Sequence, residues 1–301
     1  MKQIDDLVAG IKEKTPRRIL LQLPDGLKTK AADIVDAIES NGTEVVLSGD
    51  SCYGACDLRI DEAARARCDL IVHVGHSKFY RHIPSKIPVI HHEWKIDIKL
   101  DENKIRSEFK KITEDMVGVL TTVQYMDYIH TFSAILRSVG KKPIVGGQVL
   151  GCWTKNADRI KHADCFLFFG TGDFHPLGLS KFNKKIYFYD LERSELRSLQ
   201  KEASLTEKRR IARIEKAKDC NSFAILVSSK PGQSDFARAE RMKKSLEKRD
   251  KKAFIVIMDE ISDEKLLGLK VDCFINTACP RLAEDKFSKL MINADDFNDI
   301  L

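Results

Sequence analysis

The stretch RILLQLPDGLKTKAADIVDAIESNGTEVVL, residues 18 to 47, contains a complete strand–helix–strand unit. Its apolar run from Arg18 to Leu23 predicts a strand, and Pro24-Asp25-Gly26 predicts the turn that ends it. Apolar residues at helical spacing predict a helix from Leu27 to about Ser40, which Asn41-Gly42 stops. A second apolar run follows directly. Strands that alternate with amphipathic helices are typical of a parallel sheet covered by helices.

The same unit recurs twice along the chain. An aspartate followed by a short apolar strand occurs at Asp69, Asp164 and Asp272, about 95 and 108 positions apart. Such a period fits small domains rather than solenoid repeats. The sequence therefore predicts three related α/β domains with Rossmann-like parallel sheets, covering residues 1–112, 113–205 and 206–301. The charged segment from Leu191 to about Asp219 predicts a long helix that leads into the third domain.

Composition narrows the class of protein. The chain has 301 residues, of which 43% are hydrophobic and 32% charged, a balance typical of a globular protein. The net charge of +6 is too small and too dispersed to indicate direct binding of nucleic acid. The N-terminal MKQIDDLVAGIKEK lacks the apolar core of a signal peptide, and we find no apolar run long enough for a membrane span. We therefore expect a cytoplasmic protein that keeps its thiols reduced.

Seven of the eight cysteines fall into two groups. Most free cysteines are buried packing residues, which is what we expect of Cys68, Cys165, Cys220 and Cys273. Cys56, Cys152 and Cys279 instead lie in loops rich in Gly, Asp or Pro that follow strands. Cys52-x3-Cys56 begins like the CX3CX2C motif that binds the iron–sulfur cluster of common radical-SAM enzymes. Arg59 occupies the position of the third cysteine, so that motif is absent and Cys52 is not an expected cluster ligand.

Cys56 and Cys152 follow the second predicted strand of their domains, whereas Cys279 follows the third. Each follows a parallel strand, and the carboxyl ends of such strands are where open α/β sheets bind ligands. Three domains arranged about a pseudo-threefold axis could point Cys56, Cys152 and Cys279 at one central site. Spacing alone leaves a metal-binding role and a packing role about equally supported.

Seven motifs occur in order along nearly the whole chain. They are LPDGL (23–27), GDSCYGACD (49–57), HVGHS (73–77), GQVLGC (147–152), GTGDFHPLG (170–178), KPGQ (230–233) and NTACPR (276–281). Together they resemble the enzyme family that performs the first step of diphthamide biosynthesis, in its archaeal single-polypeptide form. The cluster cysteines of that family match Cys56, Cys152 and Cys279 of this sequence.

The resemblance implies a homodimer and a [4Fe-4S] cluster whose fourth iron meets S-adenosylmethionine. It further implies that an electron from the cluster cleaves the bond between sulfur and Cγ of the methionine part. The products would be 5′-methylthioadenosine and a 3-amino-3-carboxypropyl radical that adds to a histidine of translation elongation factor 2. Such a reaction also requires an electron donor.

Six further residues are candidates for contact with S-adenosylmethionine. Asp25 and Gly26 lie at the first strand–helix turn, while Lys230 and Gln233 lie at the matching turn of the third domain. A helix N-terminus at such a turn can hold a carboxylate, although Pro, Asp and Gly also favour ordinary turns. His76 and His175 follow strands and are as compatible with a hydrogen-bonded structural role as with a ligand contact.

Two other functions remain open. Quinolinate synthase has a similar arrangement of three domains around a three-cysteine [4Fe-4S] cluster but acts as a dehydrating condensation enzyme. GTGDFHPLG and NTACPR argue against it. A silent partner subunit that delivers electrons could dispense with some cysteines, so the complete set argues against that interpretation.

Overall fold

The structure is a computed structural model that describes residues 2–284 and 287–301. The strands of these residues form three sheets. The first sheet contains β1 (Arg18–Gln22), β2 (Glu44–Leu47), β3 (Leu70–Val74) and β4 (Val89–His92). The second contains β5 (Met116–Thr121), β6 (Lys142–Gln148), β7 (Cys165–Gly170), β8 (Lys185–Asp190) and β9 (Glu195–Ser198). The third contains β10 (Ser222–Ser228), β11 (Lys252–Met258), β12 (Cys273–Asn276) and β13 (Leu290–Asn293).

All three sheets have the same strand order. In each sheet the first strand lies between the second and the third, and the fourth pairs with the third. Every pair is parallel except the hairpin of β8 and β9. The predicted α/β class with three related parallel-sheet domains is therefore confirmed.

Helices connect the parallel strands, as the sequence predicts. They are α1 (Lys2–Lys12), α2 (Ala31–Glu39), α3 (Ile60–Arg65), α4 (Glu102–Phe109), α5 (Ile129–Ser138), α6 (Lys155–Arg159), α7 (Phe174–Leu177), α8 (Gln200–Lys218), α9 (Phe236–Glu247) and α10 (Asp263–Leu266). Short 3₁₀ helices cover Asp25–Lys30, Val123–Tyr128, Ser180–Phe182, Pro280–Glu284 and Ala294–Ile300. The central strands β3 and β7 are buried along their whole length, because helices cover both faces of a parallel sheet.

The contacts divide the chain into two compact units. The first runs to Ile98 and also includes Val123–Asp127 and Lys230–Gly232. The second contains Lys99–Thr122, Tyr128–Ser229 and Gln233–Leu301, and thus the second and third sheets. Domain boundaries near residues 112 and 205 stay a prediction.

The predicted helix from Leu191 to Asp219 is wrong in its first part. Its N-terminal residues form β9, antiparallel to β8, and α8 begins only at Gln200. The Asp190 carboxylate accepts hydrogen bonds from the N–H groups of Glu192 and Arg193, and Ser194 has a φ of 52°. These local bonds form a turn that reverses the chain before a helix can start.

The repeated aspartates have a structural role. Asp69 accepts hydrogen bonds from the N–H groups of Arg17 and Arg18 at the start of β1, both at 3.1 Å. Asp164 does the same for Met116 of β5, and Asp272 for Asn221 and Ser222 at β10. In each domain, the residue directly before the third strand thereby secures the start of the first strand.

This arrangement predicts a dependence of stability on pH. Hydrogen bonds from Ser222 and Asn221 hold the pKa of Asp272 below its usual 3.8. A carboxyl group whose pKa is lower in the folded protein than in the unfolded chain stabilises the fold at pH values above its unfolded-state pKa. This stabilisation is lost as the pH falls through the pKa of the group in the folded protein. We expect Asp272→Asn to lower the free energy of unfolding at neutral pH, with a difference that shrinks below about pH 4. Urea denaturation at several pH values measures this, and Asp36→Asn on the exposed face of α2 is the control.

Candidate metal centre

The structure separates the cysteines into the same two groups as the sequence. Cys152 is exposed and Cys56 and Cys279 are partly exposed, whereas the other five are buried. Burial raises the pKa of Cys165 to about 12, which keeps that thiol protonated. Metal–sulfur bonds need thiolates. The three accessible cysteines thus fit the donor set of an iron–sulfur cluster.

The Cys56 loop is held at its backbone. The Gly232 N–H donates to the Cys56 carbonyl at 2.9 Å, and the Gln22 side-chain amide donates to the Asp57 carbonyl. A Cβ added at Gly232 would lie 2.5 Å from the Cys56 Cα and 2.8 Å from its carbonyl oxygen. Only glycine allows the two backbones to approach this closely.

A buried ion cluster lies beside the same loop. The Asp57 carboxylate is fully buried, with the Arg59 Nε at 3.4 Å and the Lys230 Nζ at 4.0 Å. Lys230 itself is only 5% exposed. A carboxylate out of contact with water requires compensating positive charge. Lys230, a candidate contact of S-adenosylmethionine, thus also neutralises the residue that follows Cys56.

We expect Lys230→Met to destabilise the fold by about 1–3 kcal/mol, because Asp57 stays buried with one cation fewer. Chemical denaturation measures the loss. The double variant Asp57→Asn/Lys230→Met should recover part of it, since the buried charge is then absent. An unchanged free energy of unfolding in the single variant would mean that Lys230 does not stabilise Asp57.

The Cys152 loop packs against the GTGDFHPLG segment. The Gly151 N–H donates to the His175 Nδ1 at 3.2 Å. A Cβ added at Gly151 would lie 2.5 Å from the Phe174 ring, and one at Gly178 would lie 2.6 Å from the Gly151 carbonyl oxygen. His175 thus contacts the residue next to Cys152, and its Nδ1 is the hydrogen-bond acceptor.

The Cys279 loop is held by a buried amide. The Asn276 side chain, 2% exposed, donates to the Cys279 carbonyl at 2.8 Å and accepts from the Ala278 N–H at 3.0 Å. Two residues beyond Cys279, the Arg281 guanidinium lies 5.5 Å from the centre of the Phe174 ring. Phe174 therefore contacts both the Cys152 loop and the segment that follows Cys279.

The remaining candidate residues lie in different surroundings. Asp25 pairs with Lys28 at 2.8 Å and accepts from the Ser51 hydroxyl, and both bonds lower its pKa. Gly26 lines a cavity of about 890 Å³ in the first unit, whose described lining includes no cysteine. Gln233 is partly buried. Contact of Asp25, Gly26, His76, His175, Lys230 and Gln233 with S-adenosylmethionine stays a prediction.

Sequence reasoning missed the residues that hold the cysteine loops. Asp57, Gly232 and Asn276 all lie in motifs quoted above, but their contacts could not be derived from position alone. One usable signal was the acid directly after a loop cysteine, which needs a cation elsewhere if it is buried. Lys230 beside a Pro-Gly turn is such a cation.

Known proteins are similar to this chain over most of its length. Residues 23–298 match the model of the family described as "Putative diphthamide synthesis protein". The chain belongs to this family. A relative from Pyrococcus horikoshii is named 2-(3-amino-3-carboxypropyl)histidine synthase. It is 31% identical to this chain, and the match covers 94% of this chain and 84% of the length of the relative. A protein of the same name from Methanocaldococcus jannaschii is 29% identical over 91% of this chain and 80% of its own.

The fold of the diphthamide synthesis family is also known from solved structures. One, described as Dph2 from Pyrococcus horikoshii with 4Fe-4S cluster, superposes with a TM-score of 0.88 at 29% identity. It covers 99% of this chain and 89% of its own. The chain is therefore a member of a family of 2-(3-amino-3-carboxypropyl)histidine synthase enzymes. In the part of the chain that the structure describes, every helix is too short or too polar to span a bilayer.

Proposed function

We propose that this chain catalyses the first step of diphthamide biosynthesis. It would bind a [4Fe-4S] cluster through Cys56, Cys152 and Cys279 and transfer a 3-amino-3-carboxypropyl group from S-adenosylmethionine to a histidine of translation elongation factor 2. The observation that carries the proposal is the exposure of these three thiols among eight, in a family with a cluster-bearing relative. Each lies in a loop held through its backbone by a nearby motif residue.

The overall reaction balances without a net change of oxidation state. The bond between sulfur and Cγ of S-adenosylmethionine breaks, and a bond between Cγ and a carbon of the imidazole forms. The imidazole loses one proton, and 5′-methylthioadenosine leaves. When bound, a three-cysteine cluster would supply a site for the sulfonium substrate and one electron for the cleavage. The imidazole adduct gives one electron back as it loses its proton, so the external donor is needed only to bring the centre to its reduced state.

The protein's own contribution is positioning. The Gly232 N–H, the Asn276 side-chain amide and the Gly151 N–H each donate a hydrogen bond that restricts one of the three cysteine loops. The geometry of the bound sulfonium decides which of its three carbon–sulfur bonds is cleaved, so small displacements change the product. We assign S-adenosylmethionine contacts to Asp25, Gly26, His76, His175, Lys230 and Gln233, and we expect a cytoplasmic homodimer.

Two isotopic labels test the transfer. The reduced protein is incubated with elongation factor 2 and S-adenosylmethionine labelled either in its carboxyl carbon or in its methyl group. We expect the carboxyl label on the elongation factor and the methyl label in the nucleoside product. A variant of the elongation factor that lacks the target histidine is the control. Methyl label on the protein, or no label at all, would contradict the proposal, and the latter would favour a silent subunit.

A further inference from the structure

A second group of metal-ligating side chains lies in the first unit. Cys52 is in the loop after β2, His73 is on β3, and His76 follows that strand. The Cys52 Sγ lies 3.9 Å from the His73 Nδ1, and the His73 Nε2 lies 3.1 Å from the His76 Nδ1. One ligand atom from each residue lies within 4.8 Å of the other two. Cys52 is 4% exposed and His73 fully buried.

The hydrogen bonds of Gln22 fix the tautomer of His73. The Gln22 side-chain NH₂ donates to the Asp57 carbonyl. This bond turns the Gln22 Oε1 toward the His73 Nδ1, which lies 3.3 Å away. An amide oxygen can only accept, so the His73 Nδ1 carries the proton in that bond. The lone pair of Nε2 then faces His76. Metal-binding histidines are commonly oriented in this way, with the other ring nitrogen donating to an oxygen.

A third imidazole lies beside this group. His91, the register partner of His73 on β4, has its ring centre 5.5 Å away. Its buried Nε2 has no hydrogen-bond partner among the described residues, so it adds a nitrogen that a bound cation could use.

We propose that Cys52, His73 and His76 form a mononuclear site for a divalent zinc-type cation, separate from the three cluster cysteines. In that site His76 is a metal ligand rather than a contact of S-adenosylmethionine. One thiolate and two imidazoles are a donor set that zinc prefers, with His91 or water as a fourth ligand. On binding, the Cys52 S–H bond gives its proton to solvent as the metal–sulfur bond forms, and no electron is exchanged. The bound cation ties the loop that carries both Cys52 and Cys56 to the end of β3.

Cobalt titration tests this site in the full-length chain. The background is the triple variant Cys56→Ser/Cys152→Ser/Cys279→Ser, which removes the proposed cluster ligands and makes the test independent of the proposed function. We expect one equivalent of Co²⁺ to produce the absorption bands of tetrahedral thiolate coordination, and Zn²⁺ to abolish them. Absence of a thiolate-to-cobalt band in this background would overturn the proposal.

Two further variants identify the ligands. Cys52→Ser should abolish the thiolate-to-cobalt band, whereas Cys68→Ser, which changes another buried cysteine, should retain it. His76→Gln changes a partly exposed ligand and should weaken Co²⁺ binding by at least about 10-fold. A band that persists in Cys52→Ser, or an affinity unchanged by His76→Gln, would mean that the cation binds elsewhere.

Discussion

Alanine in place of Cys56, Cys152 or Cys279 is expected to abolish both cluster binding and product formation. The proposed cluster has three protein ligands, and loss of one leaves two thiolates and a second open iron. Changes in residues that merely orient ligands cost about 10–100-fold in affinity, so removal of a ligand should cost more. Iron and sulfide content after anaerobic reconstitution measures binding, and the EPR spectrum of the reduced protein reports cluster type.

Cys68→Ala and Cys220→Ala are the matched controls. Both cysteines are buried and pack within hydrophobic clusters, so neither should act as a ligand. We expect wild-type iron content and activity in these two variants. Normal iron content in all three loop-cysteine variants would contradict the assignment of the site.

Gly232→Ala is expected to impair the proposed cluster site and its activity, although Gly232 is not a cluster ligand. The added methyl would lie 2.5 Å from the Cys56 Cα and 2.7 Å from its Cβ, so the Cys56 loop or the Gly232 backbone must move. The hydrogen bond from the Gly232 N–H to the Cys56 carbonyl would be strained or lost. Misplacement of a reacting group by about 1 Å can cost on the order of 10²-fold in rate.

Measurements on the apo protein separate positioning from chemistry. The reaction rate of the Cys56 thiol with an alkylating reagent should change in Gly232→Ala, and reconstituted iron content should fall. Gly49→Ala is the control, since a Cβ added there meets no described atom within 4 Å. A Gly232→Ala protein with normal thiol reactivity, iron content and rate would show that the close contact with Cys56 is not needed.

The repeated α/β architecture could be predicted because it depends on local patterns. Buried strands such as β3 and β7 are continuous apolar runs, and turns such as Pro24-Asp25-Gly26 have characteristic residues. The hairpin of β8 and β9 could not be predicted in the same way. There, the turn formed by Asp190 overrides a charged segment with helical composition.

The division of the cysteines could also be predicted, because core packing seldom places a thiol in a loop rich in Gly, Asp or Pro. The partners of those loops could not. Asp57 and Lys230 are far apart in sequence. No periodic pattern predicts that an aspartate in the loop after β2 will pair with a lysine that follows β10. The grouping of Cys52 with His73 and His76 likewise arises from the alignment of loops at the end of a sheet.

The nucleoside released from S-adenosylmethionine tests the central claim most directly. The protein is reconstituted anaerobically with iron and sulfide, reduced, and incubated with S-adenosylmethionine, and the product is identified by chromatography and mass spectrometry. We predict 5′-methylthioadenosine, which requires cleavage between sulfur and Cγ. Formation of 5′-deoxyadenosine, or no product from a protein with a full cluster, would contradict the proposed function.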